Sequence, residues 1–468
     1  MMKTLLTAAA RLSLLLSMTV PSLALADPLG DLQAELAAVK ASYEARITQL
    51  EERLARLEVA NATGATATEP TPDASASPPP APVAASGGAN AFNPSISLIL
   101  AGNYAQTTLD PASYRIAGFI PSGGDSGSGP RSFNLGESEL TIAANVDPFF
   151  FGNVTVAISG ENEISVEEAY FRTTALPSGF TLKGGRFFSG IGYLPDIHAH
   201  AWDFVDQPLA YQALLGGQRA QDGLQLKWLA PTDIFAEVGL EAGSGRAFPA
   251  TPRSANGLNA ATAFLHLGND MGDSASWRAG ISFLHADAED RRYDDIDAAG
   301  VPVVNAFSGT SETWIADFTW KWSPHGNATE RQLKLQGEYL SRLERGRLLF
   351  DIDARAIANN YRSRQSGWYL QGIYKFAPRW RVGLRYDALD SGSFPLSGIV
   401  RGGPNGLAFP LLEAADPHRT TAMLDWNLSE FSRLRAQLAW DQARAAATDR
   451  QWQLQYIFSL GAHGAHKF

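Results

Sequence analysis

The stretch Trp314-Ile315-Ala316-Asp317-Phe318-Thr319-Trp320-Lys321-Trp322 decides the fold. Trp314, Ala316, Phe318, Trp320 and Trp322 fall on one parity, and Asp317, Thr319 and Lys321 on the other. A period of two is that of a β-strand with one apolar and one polar face. The pattern returns where Leu434, Ala436, Leu438 and Trp440 oppose Arg433, Arg435 and Gln437. It returns again where Trp452, Leu454, Tyr456 and Phe458 oppose Gln451, Gln453 and Gln455. In a soluble sandwich the apolar face would line a core. So many Trp and Tyr residues near strand ends fit better as interfacial girdles around a sheet whose apolar face meets lipid.

Working outward, alternation marks about sixteen strands between Phe92 and Phe468, an even number as single-chain bacterial barrels require. Among them are Ser276–His285, Thr313–Trp322, Gln332–Leu340 and Gly367–Ala377. The connections alternate in length. Asp147-Pro148, Pro177-Ser178-Gly179, Pro231-Thr232-Asp233, Ala377-Pro378 and Ser429-Glu430 read as tight turns. Between them lie 110–132, 189–222, 286–312, 341–366 and 390–419, read as long external loops. Around Glu168 and Arg186 the parity breaks. Past the signal-like start, no apolar run reaches the roughly 18 residues of a spanning helix. A membrane-bound form must therefore be a closed barrel, which satisfies every backbone polar group in lipid. The expected fold class is all-β: a transmembrane antiparallel β-barrel of about sixteen strands, preceded by an N-terminal α-helical coiled coil.

The first residues fit an export signal. Lys3 and Arg11 are basic, Leu12 to Val20 is a short apolar run, and Ala24-Leu25-Ala26 is a small-x-small cleavage site. Residues 1–26 are read as the signal peptide. In residues 27–60, Leu29, Leu32, Leu36, Val39, Tyr43, Ile47, Leu50, Leu54 and Leu57 follow a heptad pattern with one stutter. Such a helix should self-associate in the periplasm. Residues 61–91, with Pro78-Pro79-Pro80 amid Ala, Thr and Ser, read as an extended linker. The barrel takes residues 92–468. Phe468 follows the final alternating strand as an aromatic terminus, the kind of end signal such barrels carry.

Composition narrows the function. There are no cysteines, which excludes a thiol enzyme or a cysteine metal site. A net charge of −10 gives no basic footprint for nucleic acid. No G-x-S-x-G, H-E-x-x-H or phosphate-binding glycine loop occurs, so no enzymatic role is expected.

The segments Val166-Glu167-Glu168-Ala169-Tyr170 and Leu182-Lys183-Gly184-Gly185-Arg186-Phe187 resemble the corresponding strand pair of porins of the phosphate-selective class. That family often carries an exported coiled coil before its barrel. The resemblance implies a sixteen-stranded, trimeric diffusion porin. The family's anion selectivity rests on Arg and Lys lining the pore. Here the inward parity is mixed: Glu137, Glu139, Glu237, Asp317, Glu338 and Asp425 stand with Lys227, Arg278, Lys321, Lys334, Arg381, Arg385, Arg433 and Arg435.

The richest connection holds His198-Ala199-His200-Ala201-Trp202-Asp203-Phe204-Val205-Asp206. In sixteen-stranded porins the loop at this place folds into the barrel. Asp196, Asp203 and Asp206 are then expected as acids at a constriction, facing Arg381, Arg385, Arg433 and Arg435 on the wall. Such opposed rows would impose a transverse field on passing solutes. The same loop could hold a divalent metal through His198, His200 and Asp203, since imidazole and carboxylate suit Zn²⁺. The expected partners are outer-membrane lipid and lipopolysaccharide, with two further copies in a homotrimer and a peptidoglycan contact through the coiled coil; Arg342, Arg345 and Arg347 fit equally as partners of lipopolysaccharide phosphates or of nearby Asp and Glu. Three roles follow. One is a passive porin-like channel for small hydrophilic solutes or ions. Another is a receptor or transporter for a metal or metal chelate. The third is an envelope tether. The 377 residues of the barrel segment are too short for a twenty-two-stranded energised receptor with long loops, at roughly 24 per strand and connection for sixteen.

Overall fold

The structure is a computed structural model and describes residues 94–123, 126–160, 163–252, 256–297, 299–392 and 409–461. The signal, coiled-coil and linker segments and Phe468 lie outside the described residues, as does a second closely spaced histidine pair of the sequence, His463 and His466.

One antiparallel sheet holds seventeen strand segments. They are β1 (Ser95–Thr107), β2 (Ser132–Leu135), β3 (Ser138–Asn145), β4 (Phe150–Ile158), β5 (Ile164–Thr173), β6 (Phe180–Phe188), β7 (Ala220–Leu229), β8 (Phe235–Gly243), β9 (Ala260–Met271) and β10 (Ala275–Ile296), then β11 (Pro302–Trp322), β12 (Gln332–Phe350), β13 (Ile357–Ala377), β14 (Trp380–Asp390), β15 (His418–Ser429), β16 (Ser432–Gln442) and β17 (Asp449–Gly461). β2 and β3 both pair with β1, at different heights, so they are one stave interrupted at Gly136-Glu137. β17 takes the other edge of β1, from Ser97 opposite Gly461 to Thr107 opposite Gln451. The result is a closed barrel of sixteen staves with no free edge, stable without disulfides.

The parity of Trp314–Trp322 is realised as expected. Trp314 and Phe318 face outward and are 53% and 49% exposed, while Asp317 and Thr319 face inward and are buried. Trp380 stacks on Trp426 at 5.7 Å beside the tight turns. Trp368 and Tyr386 lie 5.6 Å apart farther along the same wall.

Two of the long connections are not loops. β10 runs on to Ile296 and β11 starts at Pro302, while β12 and β13 run on to a turn at 351–356. The strands here reach 19 to 22 residues, about twice the 9–11 that cross a bilayer. The apolar alternation inverts in these extensions. Arg345, Arg347, Arg362 and Arg364 take the outward positions, and Leu348, Phe350 and Tyr361 the inward ones. Water replaces lipid outside, so the outward face turns polar and the sequence pattern reads as loop.

The broken parity near Glu168 is a β-bulge. Thr155 of β4 opposes Glu168 and Val156 opposes Val166, which leaves Glu167 as an extra residue in β5. A bulge re-aims side chains, and here it helps bring Glu167 and Glu168 to the same histidine.

The barrel interior is not simply a wetted lumen. Residues 189–219, joining β6 to β7, pack within it and contain a short helix, α1 (Leu209–Leu215), whose seven residues are all buried. Ile191, Leu194, Leu209, Tyr211 and Leu214 pack against Leu284, Ile315, Leu340, Tyr369 and Leu389 of the wall. Each such side chain stabilises by roughly 1.5–3 kcal/mol when fully buried.

Candidate functional site

The loop is held by acceptors on the wall. Glu338 of β12 takes hydrogen bonds from the Tyr193 backbone N–H at 3.1 Å and the hydroxyls of Tyr211 and Tyr369 at 2.6 and 2.5 Å. Glu241 of β8 accepts from Ser189 Oγ at 2.5 Å and the Gly190 N–H at 2.8 Å. Asp387 of β14 accepts from the Leu209 N–H at 3.0 Å. These carboxylates satisfy loop donors that would otherwise be buried unpaired.

The expected acid and base rows meet in direct contact. Asp203 receives Lys334 Nζ at 2.8 Å and Arg381 Nη1 at 3.2 Å. Asp206 receives Arg385 Nη2 at 2.8 Å and Arg419 Nη1 at 2.7 Å. Arg381 also pairs with Asp425. Arg435 grips Asp425 at 2.7 and 3.0 Å and donates to the Trp202 carbonyl at 3.0 Å. Arg433 donates to the His200 carbonyl at 2.6 Å. The two rows therefore do not face each other across water. They fasten the loop to β12 and β14–β16. Burial alone would raise the Asp203 carboxyl, but Lys334 and Arg381 hold it well below the usual range. Burial would likewise raise Asp206, and Arg419 and Arg385 hold it low.

Asp196 stands apart from this arginine wall. It lines a cavity of about 560 Å³ with Lys227, Glu237, His266 and Arg278. A second cavity, of about 420 Å³, lies between the loop residues His200, Trp202 and Asp206 and the polar wall of Asn103, Gln453 and Gln455.

Three partners were missed from the sequence. Arg419, fully buried, shares its parity with Asp425 on β15, but alternation predicts that strand only over Thr420–Leu428, which leaves Arg419 just outside it. Asp387 and Asp441 complete its surroundings, with Asp387 Oδ2 3.6 Å from Arg419 Nε and Asp441 Oδ2 3.7 Å from Nη1.

The expected metal set is corrected. Asp203 turns to Lys334 and Arg381 and does not join the histidines. His198 Nδ1 lies 3.0 Å from Glu139 Oε2 and 3.3 Å from Glu167 Oε2, and its Nε2 lies 3.3 Å from Glu168 Oε2. His200 Nδ1 lies 2.8 Å from Glu139 Oε1. Burial disfavours the His198 imidazolium, but Glu139, Glu167 and Glu168 together raise its pKa well above the ordinary histidine value.

The Arg342 side chain is also placed differently from expectation. It is buried, donating to the Ala213 and Leu214 carbonyls of α1 at 3.4 and 3.2 Å and to Gln365 Oε1 at 2.6 Å. Arg345 and Arg347 are exposed.

No family model matches the chain. Among solved structures, OmpT of Vibrio cholerae aligns with a TM-score of 0.48 as a loop-deletion mutant and 0.47 in its trimer form, at 12% and 11% identity, each over 79% of this chain and 99% of that one. An anion-selective porin from Comamonas acidovorans aligns with a TM-score of 0.47 at 10% identity over the same shares. An uncharacterized protein of Aquifex aeolicus (strain VF5) is 31% identical over 358 residues, which span 72% of this chain and 70% of that protein. The chain belongs to the family of that Aquifex aeolicus protein.

Proposed function

We propose that this chain is an outer-membrane, porin-like channel for passive diffusion of small hydrophilic solutes or ions. The observation that carries the reading is the inward-folded loop, fastened by Asp203 and Asp206 to the arginine wall of a closed barrel whose outer face is apolar. Lipid explains the exposed Trp and Phe residues outside. A loop that narrows the barrel and leaves polar cavities beside it explains the inside. The resemblance of the Val166–Tyr170 and Leu182–Phe187 segments to the phosphate-selective porin class supports the same reading, together with assembly as a homotrimer. The mixed lining of Asp, Glu, Lys and Arg argues against a purely anionic cargo. The proposal is of a channel and not of an enzyme.

The test is single-channel conductance of the detergent-folded mature protein in a planar bilayer under a salt gradient. Stepwise openings are expected, and the sign of the reversal potential assigns the selectivity. A correctly folded but silent barrel would overturn the reading.

A further inference from the structure

We infer that Glu139, Glu167 and His198 form a binding site for one divalent cation of the Zn²⁺ type, which clamps the inward-folded loop to β3 and β5. The sequence suggested a metal on this loop with Asp203 as the acid; the fold supplies different acids from two wall strands.

The three ligand atoms, Glu139 and Glu167 carboxylate oxygens and a His198 ring nitrogen, all lie within 4.8 Å of one another. Tetrahedral Zn²⁺ with bonds of about 2.0–2.2 Å keeps its ligand atoms roughly 3.3–3.5 Å apart. His198 Nδ1 stands 3.0 and 3.3 Å from the two carboxylate oxygens, close to that spacing. The hydrogen-bond pattern points to the same place independently. His198 Nδ1 and Glu167 Oε2 are buried atoms whose close approaches are to one another and, for the imidazole, to Glu139, and none of these has the alignment of a hydrogen bond. They are two of the three atoms that would take the ion.

The surroundings match what a bound ion needs. A metal-ligating imidazole usually gives its other N–H to a carboxylate. His198 Nε2 meets Glu168 Oε2 at 3.3 Å. Ligating carboxylates are held in turn by a neighbour, and Glu139 Oε1 meets His200 Nδ1 at 2.8 Å. The bulge in β5 makes the site possible, because Glu167 is its extra residue and Glu168 follows directly. Three largely buried carboxylates stand against the two imidazoles of His198 and His200, so they outnumber these cationic partners, and uncompensated buried charge is costly. A divalent cation removes the excess. Imidazole with carboxylate favours zinc over the all-oxygen shells of calcium and magnesium.

The experiment uses the full mature chain, folded in detergent, stripped with chelator and titrated with Zn²⁺ by calorimetry. One ion per chain is expected. Glu167→Gln and His198→Gln should each weaken binding by at least tenfold, and His285→Gln, on the outer face of β10, should leave it unchanged. Far-UV circular dichroism confirms that each variant keeps its barrel. Crystals soaked in Zn²⁺ give a second readout that needs no variant: an anomalous peak between Glu139, Glu167 and His198. No uptake, uptake that Glu167→Gln and His198→Gln leave intact, or a peak elsewhere would each overturn the inference.

Discussion

Asp206 Oδ2 lies 2.7 Å from Nη1 of Arg419, a guanidinium with no exposed surface. The acid belongs to the inward loop and the base to β15, so this contact joins the barrel's contents to its wall. Asp206 also holds Arg385 at 2.8 Å. Breaking a buried pair from one side strands the other charge, at roughly 3–5 kcal/mol. Asp206→Asn keeps the shape and removes the charge, so the loop should detach before the barrel melts. Single-channel records of this variant should show larger or noisier openings than the parent. Unchanged conductance and unchanged protease resistance of the loop would mean that the apolar contacts of α1 hold it alone.

The same pairs fix the pH response. Lys334 and Arg381 hold Asp203, and Arg419 and Arg385 hold Asp206, below the usual carboxylate range. A carboxyl with a depressed folded pKa contributes stability that is full above its unfolded value, about 3.9, and is lost as pH falls through the lower folded value. The contribution of these two pairs should therefore be the same at pH 7 and at pH 4.5 and fall only in stronger acid, read as the pH dependence of the difference in unfolding midpoint between the parent and Asp206→Asn. A transition centred at the ordinary carboxylate pKa would show that these acids are not clamped.

Gly192 makes a third, steric prediction. It sits in the loop with φ of 62°, and a Cβ there would lie 2.5 Å from Tyr211 Oη and 2.6 Å from Glu338 Oε2. Gly192→Ala combines left-handed backbone strain with a clash on the acceptor that holds Tyr193, Tyr211 and Tyr369. A loss of roughly 1–3 kcal/mol is expected. It should appear as a lower midpoint in urea unfolding followed by tyrosine fluorescence, with the strand signal intact before the transition.

How legible these features were in the sequence depended on what lay outside each strand. Trp314–Trp322 could be read because lipid outside and polar groups inside impose strict alternation. Residues 286–312 and 341–366 could not, because their outer face meets water and their inner face carries Leu348 and Phe350. The acids and bases of the loop and wall were identifiable by parity. Their closure into ion pairs was not, since period two says which way a side chain points and nothing about how far a loop reaches. Arg419 was lost to a strand boundary placed at Thr420, two residues late. Glu167 was lost because a bulge inserts a residue that no alternation can register, and the metal-type cluster around His198 depends on that residue.

The inverted alternation of the long hairpins leads to the last prediction. Arg345 of β12 lies directly opposite Arg362 of β13, Arg364 opposes Leu343, and Arg347 opposes Asn360. All four arginines are exposed on the outer wall, just beyond Trp368 and Trp314. Like charges directly across a sheet repel, so a cluster of this kind calls for an external anion. Arginine forks match phosphate geometry, and phosphates of lipopolysaccharide would lie at this height if Trp314 and Trp368 mark the lipid boundary. Replacing Arg345, Arg347, Arg362 and Arg364 together by Gln should weaken binding to lipopolysaccharide vesicles at least tenfold. The parent's binding should fall with added salt, because exposed charges are screened within about 10 Å at 0.1 M. Channel conductance should not change, since none of the four faces the lumen. Equal binding by parent and variant would assign the patch to another surface, such as the contact between copies in a trimer.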